Sequence, residues 1–486
     1  MISDAENGTM GIVMICFYST QKRKMPMYPV TPNCKDFFGA TDSQTIQNAV
    51  DYAAAHDLGR VVIPRYNQRT GATVWNIDTA ILLPSNMTVV LEDAHLRLVD
   101  GCFDNIFRNR NCMTPEGNTL EGEQHNIHIL GSGNALLDGG NHNGLVEQMH
   151  RDDPVKYPRL SVNLLIFLHN TRDFSIEGLD FINGRWWAVC CVYCRWGYIG
   201  NLDFKMYGTC ENQDGVDLRV GCEYITIENI TGITGDDTVA LTAMPNDHLV
   251  PETALHVPGK SYDIHDITIR NIISSTHGCG IVRFLCEDGA QEYNITVDGI
   301  KDTSASVSGN ALIVGTADTI FADPPHKMGE FRDVVVRNVT TQAQIGISFA
   351  ESVQNMLVEN LTTYGGNEVG LHFSANFACD GLTIRNVVVG SNPNTLDSIF
   401  SFVPPAQDRL IKDLKIENVR ANAAKYVFRG VQVPVEALQY EKPSVAFFTP
   451  ERVRLDSAYG RYHRYYFGKV IENRPADNRF AGENKK

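Results

Sequence analysis

The sequence predicts an all-β protein wound as a single-stranded right-handed parallel β-helix, with an N-terminal capping helix. Three observations predict it. A short phrase, Ile/Val-x-Asn/Gly-apolar, recurs as Ile129-Leu-Gly, Ile176-Glu-Gly-Leu, Ile199-Gly-Asn-Leu, Ile227-Glu-Asn-Ile and Ile269-Arg-Asn-Ile. It returns as Val297-Asp-Gly-Ile, Val336-Arg-Asn-Val, Val358-Glu-Asn-Leu, Ile384-Arg-Asn-Val and Ile416-Glu-Asn-Val. From Ile176 onward the intervals are 23, 28, 42, 28, 39, 22, 26 and 32, mostly in the twenties, with the long ones holding insertions. Within each phrase the apolar residues alternate (Ile225, Ile227; Ile267, Ile269; Val334, Val336), the period of a strand.

One strand per repeat and a polar corner at a fixed place define a coil that cannot bury its apolar face alone and must stack on the next. Asn suits such a corner because it tolerates the left-handed backbone and can hydrogen-bond along the stack. Leucine-rich repeats would need a Leu spacing that is absent, and propeller blades would need several strands each.

The elements follow in order. Residues 1–36 form an N-terminal segment. A capping helix is expected near 43–57, led by Asp42-Ser43, with Ile46, Val50 and Ala53 on one face. It ends at Gly59 and feeds a strand, Val61-Val62-Ile63-Pro64. The β-helix occupies 37–425, and 426–486 is a C-terminal cap or tail. That tail is rich in Tyr and Arg over 459–466 and either covers the other end of the solenoid or makes a subunit contact.

Composition narrows the classes. Apolar residues at 43% and charged residues at 20% exclude global disorder. The balance of 42 basic against 57 acidic residues, net −15, argues against a nucleic-acid partner. No run of 18 apolar residues offers a membrane span. The apolar stretch 10–17 has Asp4 and Glu6 before it and Lys22, Arg23 and Lys24 after it, the reverse of a secretory signal. A cytoplasmic protein is therefore expected. Of 12 cysteines, Cys190, Cys191 and Cys194 sit in an apolar run and read as core packing, because no second pair completes a zinc pattern.

Three coils carry the chemistry. Aligned on Val216-Asp217-Leu218, Val239-Ala240-Leu241 and Cys279-Gly280-Ile281, they put Asp214, Asp237 and His277 in one column, with Asp236 one place to the side. Neighbouring strands lie ~4.8 Å apart, so the column crowds carboxylates together. Crowded carboxylates ionise one at a time, which supplies an acid and a base near neutral pH, the pair that glycoside hydrolysis needs. Gly-Asp-Asp or Gln-Asp-Gly alone is an ordinary turn; both on adjacent coils in register are not. Asp217 and Arg219 share a parity that should face the groove, whereas Arg283 falls on core parity unless the strand has already ended. Arg219, Arg185 and Arg283 are candidates to hold an anionic sugar. Trp186 and Trp187 should open on the same face, one as a sugar platform and one as core.

The segments Asn212-Gln213-Asp214-Gly215-Val216-Asp217, Gly235-Asp236-Asp237-Thr238-Val239-Ala240-Leu241 and His277-Gly278 resemble the active-site signatures of the polygalacturonase family, glycoside hydrolase family 28. Phe181-Ile182-Asn183-Gly184-Arg185-Trp186-Trp187 is similar to that family's Asn-x-x-x-Trp segment. The likeness runs over about 37–425 and holds because the motifs occur in order on successive coils. It implies a pectin-lyase-like solenoid and an inverting hydrolase of pectic polysaccharide. In it Asp236 would be the general acid, Asp214 and Asp237 the pair activating water, and His277 the support of the acid. Asn212 and Gln213 would flank the sugar. Gln213 stands where the family has Thr, Thr276 where Gly precedes the His, and the Arg-x-Lys motif is missing around Ser308-Gly309-Asn310-Ala311-Leu312-Ile313-Val314. The resemblance thus carries the reaction, while plain polygalacturonan loses the residues that would hold its carboxylate.

Two rivals share the scaffold. A calcium-dependent polysaccharide lyase would use Asp214, Asp217, Asp236 and Asp237 as ligands and an Arg or Lys as base, but leaves His277 without a duty. A non-catalytic carbohydrate-binding solenoid leaves the clustered acids unexplained. The expectation is a hydrolase without metal or cofactor, acting on pectin-derived oligosaccharide, exo-acting because the insertions 244–260 and 316–329 wall off one end of the groove.

Overall fold

The computed structural model describes residues 29–141, 164–208, 212–245, 255–304, 309–316, 326–392, 395–403 and 411–421, plus the backbone of three short strands beyond. The stretch 10–17, the tail 459–466 and the middle of both insertions (246–254 and 317–325) lie outside these residues.

The chain is a right-handed parallel β-helix. Among the described residues the strand ladders pair in parallel and form two sheets, one of 18 strands and one of 12. From Arg195 to Phe402 each coil contributes a long strand to the first sheet and a short one to the second, whereas the earlier coils split the long strand in two. Glu223–Thr234 with Val239–Ala243, and Ile264–Thr276 with Gly280–Cys286, are two such pairs. The recurring phrase builds the core. Ile176, Ile199, Ile227, Ile269, Val297, Val336, Val358, Ile384 and Ile416 stand in register, one per coil, all buried. Burying each such side chain stabilises the fold by roughly 1.5–3 kcal/mol. Along the second sheet the same role falls to stacked rings, Phe349 on Phe373 and Phe373 on Phe402, with centroids 5.1 and 4.3 Å apart.

The asparagine corner is as expected. Asn201, Asn229, Asn271, Asn338, Asn360, Asn386 and Asn418 all have positive φ. Asn229 donates to Asn201 Oδ1 at 3.1 Å, Asn271 to Asn229 at 2.6 Å, Asn360 to Asn338 at 3.0 Å, and Asn386 to Asn360 at 3.1 Å. A second left-handed corner, five residues earlier in each coil, carries Tyr224, Asp266, Asn294, Asp333, Asn355 and Asp413. Its residue type varies too much for the sequence pattern to reveal. Asn271→Ala should cost about 1–2 kcal/mol, because a Cβ-bearing residue that cannot hydrogen-bond locally is unfavourable at φ +55°. Asn271→Gly should cost less. Denaturant midpoints compare the two, and equal losses would mean that the backbone conformation is not what the Asn supplies.

The helix spans Asp42–Ala55 with Thr41 as N-cap, its hydroxyl accepting from the Gln44 N–H. Asp42 instead anchors the adjoining loop, accepting from the Asn76 N–H at 2.8 Å and pairing with Arg69. Ile46, Ala49, Val50 and Ala53 pack onto the first coils. At the other end the parallel ladder runs on past residue 425, through Tyr426–Arg429 against Ser398–Phe402 and Leu438–Tyr440 against Ile411–Ala421.

Candidate active site

The acidic turns lie where long strands hand over to short ones. Asp214 precedes Val216–Arg219, and Asp236 and Asp237 lie between Thr234 and Val239. Val216 pairs with Val239, so Asp214 and Asp237 stack as expected, and the Gly215 N–H donates to the Asp237 carbonyl at 3.0 Å. A set of hydroxyls fixes the second turn. Thr234 and Thr276 both donate to the Asp236 carbonyl, at 2.7 and 2.6 Å. Thr238 bonds both Thr234 and Ser274, at 3.0 and 2.9 Å. Thr276, which stands where the polygalacturonase resemblance expects Gly, is thus one of the groups that hold the Asp236 backbone.

The third coil requires a correction. Val239 pairs with Val282 and Leu241 with Phe284, so the strand sits three residues later than the alignment on Cys279-Gly280-Ile281. Gly280, not His277, lies beside Asp237 and donates its N–H to Oδ1 at 2.6 Å. His277 is displaced to the exposed turn. Its N–H donates to the Thr234 carbonyl at 3.2 Å, and its ring packs over Gly208, where a Cβ would come within 3.2 Å. Among the described residues no hydrogen bond joins the His277 ring to Asp236.

The same shift brings Arg283 to the site. It stands in the column Cys190, Asp217, Ala240, Arg283, outside the core, and its guanidinium lies 3.8 Å from Asp237 Oδ2. Cys279, absent from the sequence-based set, also belongs here: its thiol and the Asp236 and Asp237 carboxylates lie within 4.8 Å of one another.

Other candidates are placed differently. Arg185 is a buried structural clamp. Its guanidinium donates to the carbonyls of Gly139 at 2.5 Å and Val99 at 3.3 Å, and to that of Cys102. Trp186 and Trp187 are both buried, so neither opens as a platform. They belong to a satellite cluster with Phe167, Tyr193, Leu255 and Val257 that covers one end of the short-strand sheet. Lys260 pins this cover, donating to Glu123 at 2.8 Å, and Arg195 grips the same carboxylate at 2.9 and 2.8 Å. Arg219 is buried beneath it, 4.5 Å from the Trp187 ring centroid. Gln213 is buried, its amide donating to the Gly184 carbonyl, and Asn212 takes a left-handed turn conformation at φ +54°.

Electrostatics follow from burial. Asp214, Asp217 and Asp237 are buried while Asp236 is half-exposed at the rim. Burial, with repulsion from its neighbours Asp217, Asp236 and Asp237, raises Asp214 well above the carboxylate range. Burial raises Asp217 likewise, against the pull of Arg219. Asp237 is pushed up to about 7 by burial, opposed by Arg283 and the Gly280 N–H. Asp214 Oδ1 and Asp217 Oδ2 have no hydrogen-bond partner, so acceptors are held ready inside the site. A proton shared among such groups near neutral pH is the condition for acid–base work.

A pH dependence follows. Between about pH 4 and pH 7 the folded chain keeps a proton on Asp237 that the unfolded chain has released, so stability falls as pH rises through that window. Asp237→Asn should flatten the fall. Thermal melts across the window check it, and an unchanged slope in the variant would contradict the assignment.

No family model matches the chain, and no curated protein matches it. Solved structures do match. An exopolygalacturonase from Thermotoga maritima is 14% identical over 88% of this chain and 94% of its own, with a TM-score of 0.50. The tailspike protein of E. coli bacteriophage HK620, in complex with a pentasaccharide, is 16% identical over 86% of this chain and 72% of its own, also at 0.50. At these identities the likeness is one of fold.

Proposed function

We propose that the protein is an inverting glycoside hydrolase of pectic, galacturonate-containing oligosaccharides. The observation that carries this reading is the stacked, buried Asp214–Asp237 pair beside Asp236, which is half-exposed at the rim. In this reading Asp236, the carboxyl a bound sugar can reach, protonates the leaving oxygen. Asp214 and Asp237 take the proton from a water that attacks the opposite face of the ring. Asp214 Oδ1 is a buried acceptor suited to orient that water. Arg283, already beside Asp237, replaces the missing Arg-x-Lys pair as the cation for a sugar carboxylate. Exposed His277 lines the approach.

The substrate class rests on the motif likeness to polygalacturonases, and the fold shared with an exopolygalacturonase agrees with it. The exo mode rests on the two insertions, and an enzyme that releases mixed-length internal products would overturn it. A cytoplasmic setting, after import of short oligosaccharides, rests on the charge order around 10–17.

The calcium lyase is disfavoured by the site's chemistry. Arg283 stands against Asp237, where a cation would have to bind, and Cys279 is a soft neighbour for calcium. The test is a panel of galacturonan and rhamnogalacturonan oligosaccharides with products read by mass spectrometry. Gain of one water supports the hydrolase. An unsaturated product that disappears with chelator makes the protein a lyase, and binding without any product makes it a binding solenoid.

A further inference from the structure

A second polar cluster, remote in sequence from the acidic turns, lies at the corner where short strands return to long ones. Cys286 ends the strand Gly280–Cys286, and Glu330 immediately precedes Phe331–Thr341. Glu351 lies just past Ile345–Phe349, and His326 sits in the segment leading to Glu330. All four are buried. The Cys286 thiol, a His326 ring nitrogen and a Glu330 carboxylate oxygen lie within 4.8 Å of one another, and Glu351 Oε2 is 3.5 Å from His326 Nδ1.

The surroundings orient these groups as ligands. His326 Nε2 bonds the Cys286 carbonyl, which can only accept, so Nε2 carries the proton and Nδ1 is turned toward the cluster. One Glu330 oxygen, Oε2, accepts the Lys327 N–H at 2.9 Å. Glu351 Oε1 accepts the Asn376 amide at 2.9 Å, while Oε2 is buried without a hydrogen bond. Glu351 reaches the cluster by crossing Gly315. A Cβ there would lie 2.4 Å from Glu351 Cγ, so only glycine leaves the path open. Glu292 adds a third fully buried carboxylate, with Oε2 also unbonded. Two carboxylates and a thiol against a single imidazole are an unfavourable buried charge set without a further cation.

We infer that Cys286, His326, Glu330 and Glu351 form a structural zinc site that ties the segment 326–330 to three successive coils. One thiolate, one imidazole and the Glu330 carboxylate within 4.8 Å of one another, with the Glu351 carboxylate against the imidazole, are a donor set for tetrahedral Zn²⁺, and the thiolate selects against calcium and magnesium. Binding transfers the Cys286 proton to solvent and forms the sulfur–zinc bond. The site takes no part in sugar chemistry and stands whether or not the proposed activity holds.

The rival reading is a plain His326–Glu351 ion pair with a protonated imidazole. Full-length protein, stripped with chelator and titrated with zinc chloride alone, separates the two. The zinc site predicts uptake of about one ion per chain, proton release and a higher melting temperature. With cobalt chloride it predicts a near-ultraviolet sulfur-to-cobalt band. Cys286→Ser should remove the band, and Glu351→Gln should weaken zinc binding about tenfold or more. If Cys286→Ser fails to fold, Glu351→Gln and the wild-type cobalt spectrum still decide. No zinc uptake, or uptake without the sulfur band, would overturn the inference.

Discussion

Asp236→Asn removes nearly all turnover, by about a hundred- to ten-thousand-fold, while oligosaccharide binding survives. The reasons are local. Asp236 stands at the rim, its backbone gripped by the Thr234 and Thr276 hydroxyls, so an amide of the same shape should sit where the carboxyl did. The amide can still hydrogen-bond a sugar but has no proton to give. Asp214 and Asp237 are untouched and keep their stack. Single-turnover assays together with direct binding measurement distinguish the losses. A variant that binds as well as wild type yet turns over normally would move the acid to another residue, with Asp237, raised to about 7, the first to examine.

Arg185→Ala destabilises the fold by about 3–5 kcal/mol, among the largest losses available from one surface-independent position. Arg185 is buried, and its three nitrogens tie one turn to carbonyls contributed by residues more than forty positions earlier in the chain. Truncation leaves those buried acceptors without their donor and opens a cavity the size of the side chain. Arg185→Lys should recover only part, because one ammonium cannot reproduce the spread of a guanidinium. Chemical denaturation of both variants against wild type tests this. A midpoint for Arg185→Ala within error of wild type would return Arg185 to the list of ligand-binding candidates.

The parts of the molecule that could be read from sequence are those whose cause is local. The Ile/Val column and the asparagine ladder depend on one short phrase repeated along the chain, and both appear where the phrase places them. The stack of Asp214 on Asp237 was equally legible, because Val216 and Val239 follow their turns at matching distances. The third coil was not. Ile281 and Val282 are both buried, and the strand Gly280–Cys286 is covered on both faces, so alternation gives no register. Thr234 pairs with Thr276 and Val239 with Val282, so the path that takes five residues on the second coil takes six on the third and delays the strand. Placing it correctly moves His277 outward and brings Arg283 and Cys279 in. The burial of the tryptophans and Arg185 is hidden from the sequence for a different reason. Their partners are a covering segment around Leu255 and Val257 and carbonyls on earlier coils, which no periodicity locates.

The most direct test of the central claim, that Asp214 and Asp237 activate water while Asp236 protonates the leaving group, is the anomeric configuration of the first product. Proton NMR during the first moments of cleavage of a defined galacturonate-containing oligosaccharide, before mutarotation, reads it. Direct attack by that water yields a reducing end of configuration opposite to the bond that was cut. A product retaining that configuration would mean that one of these carboxylates attacks the sugar itself, and would contradict the account.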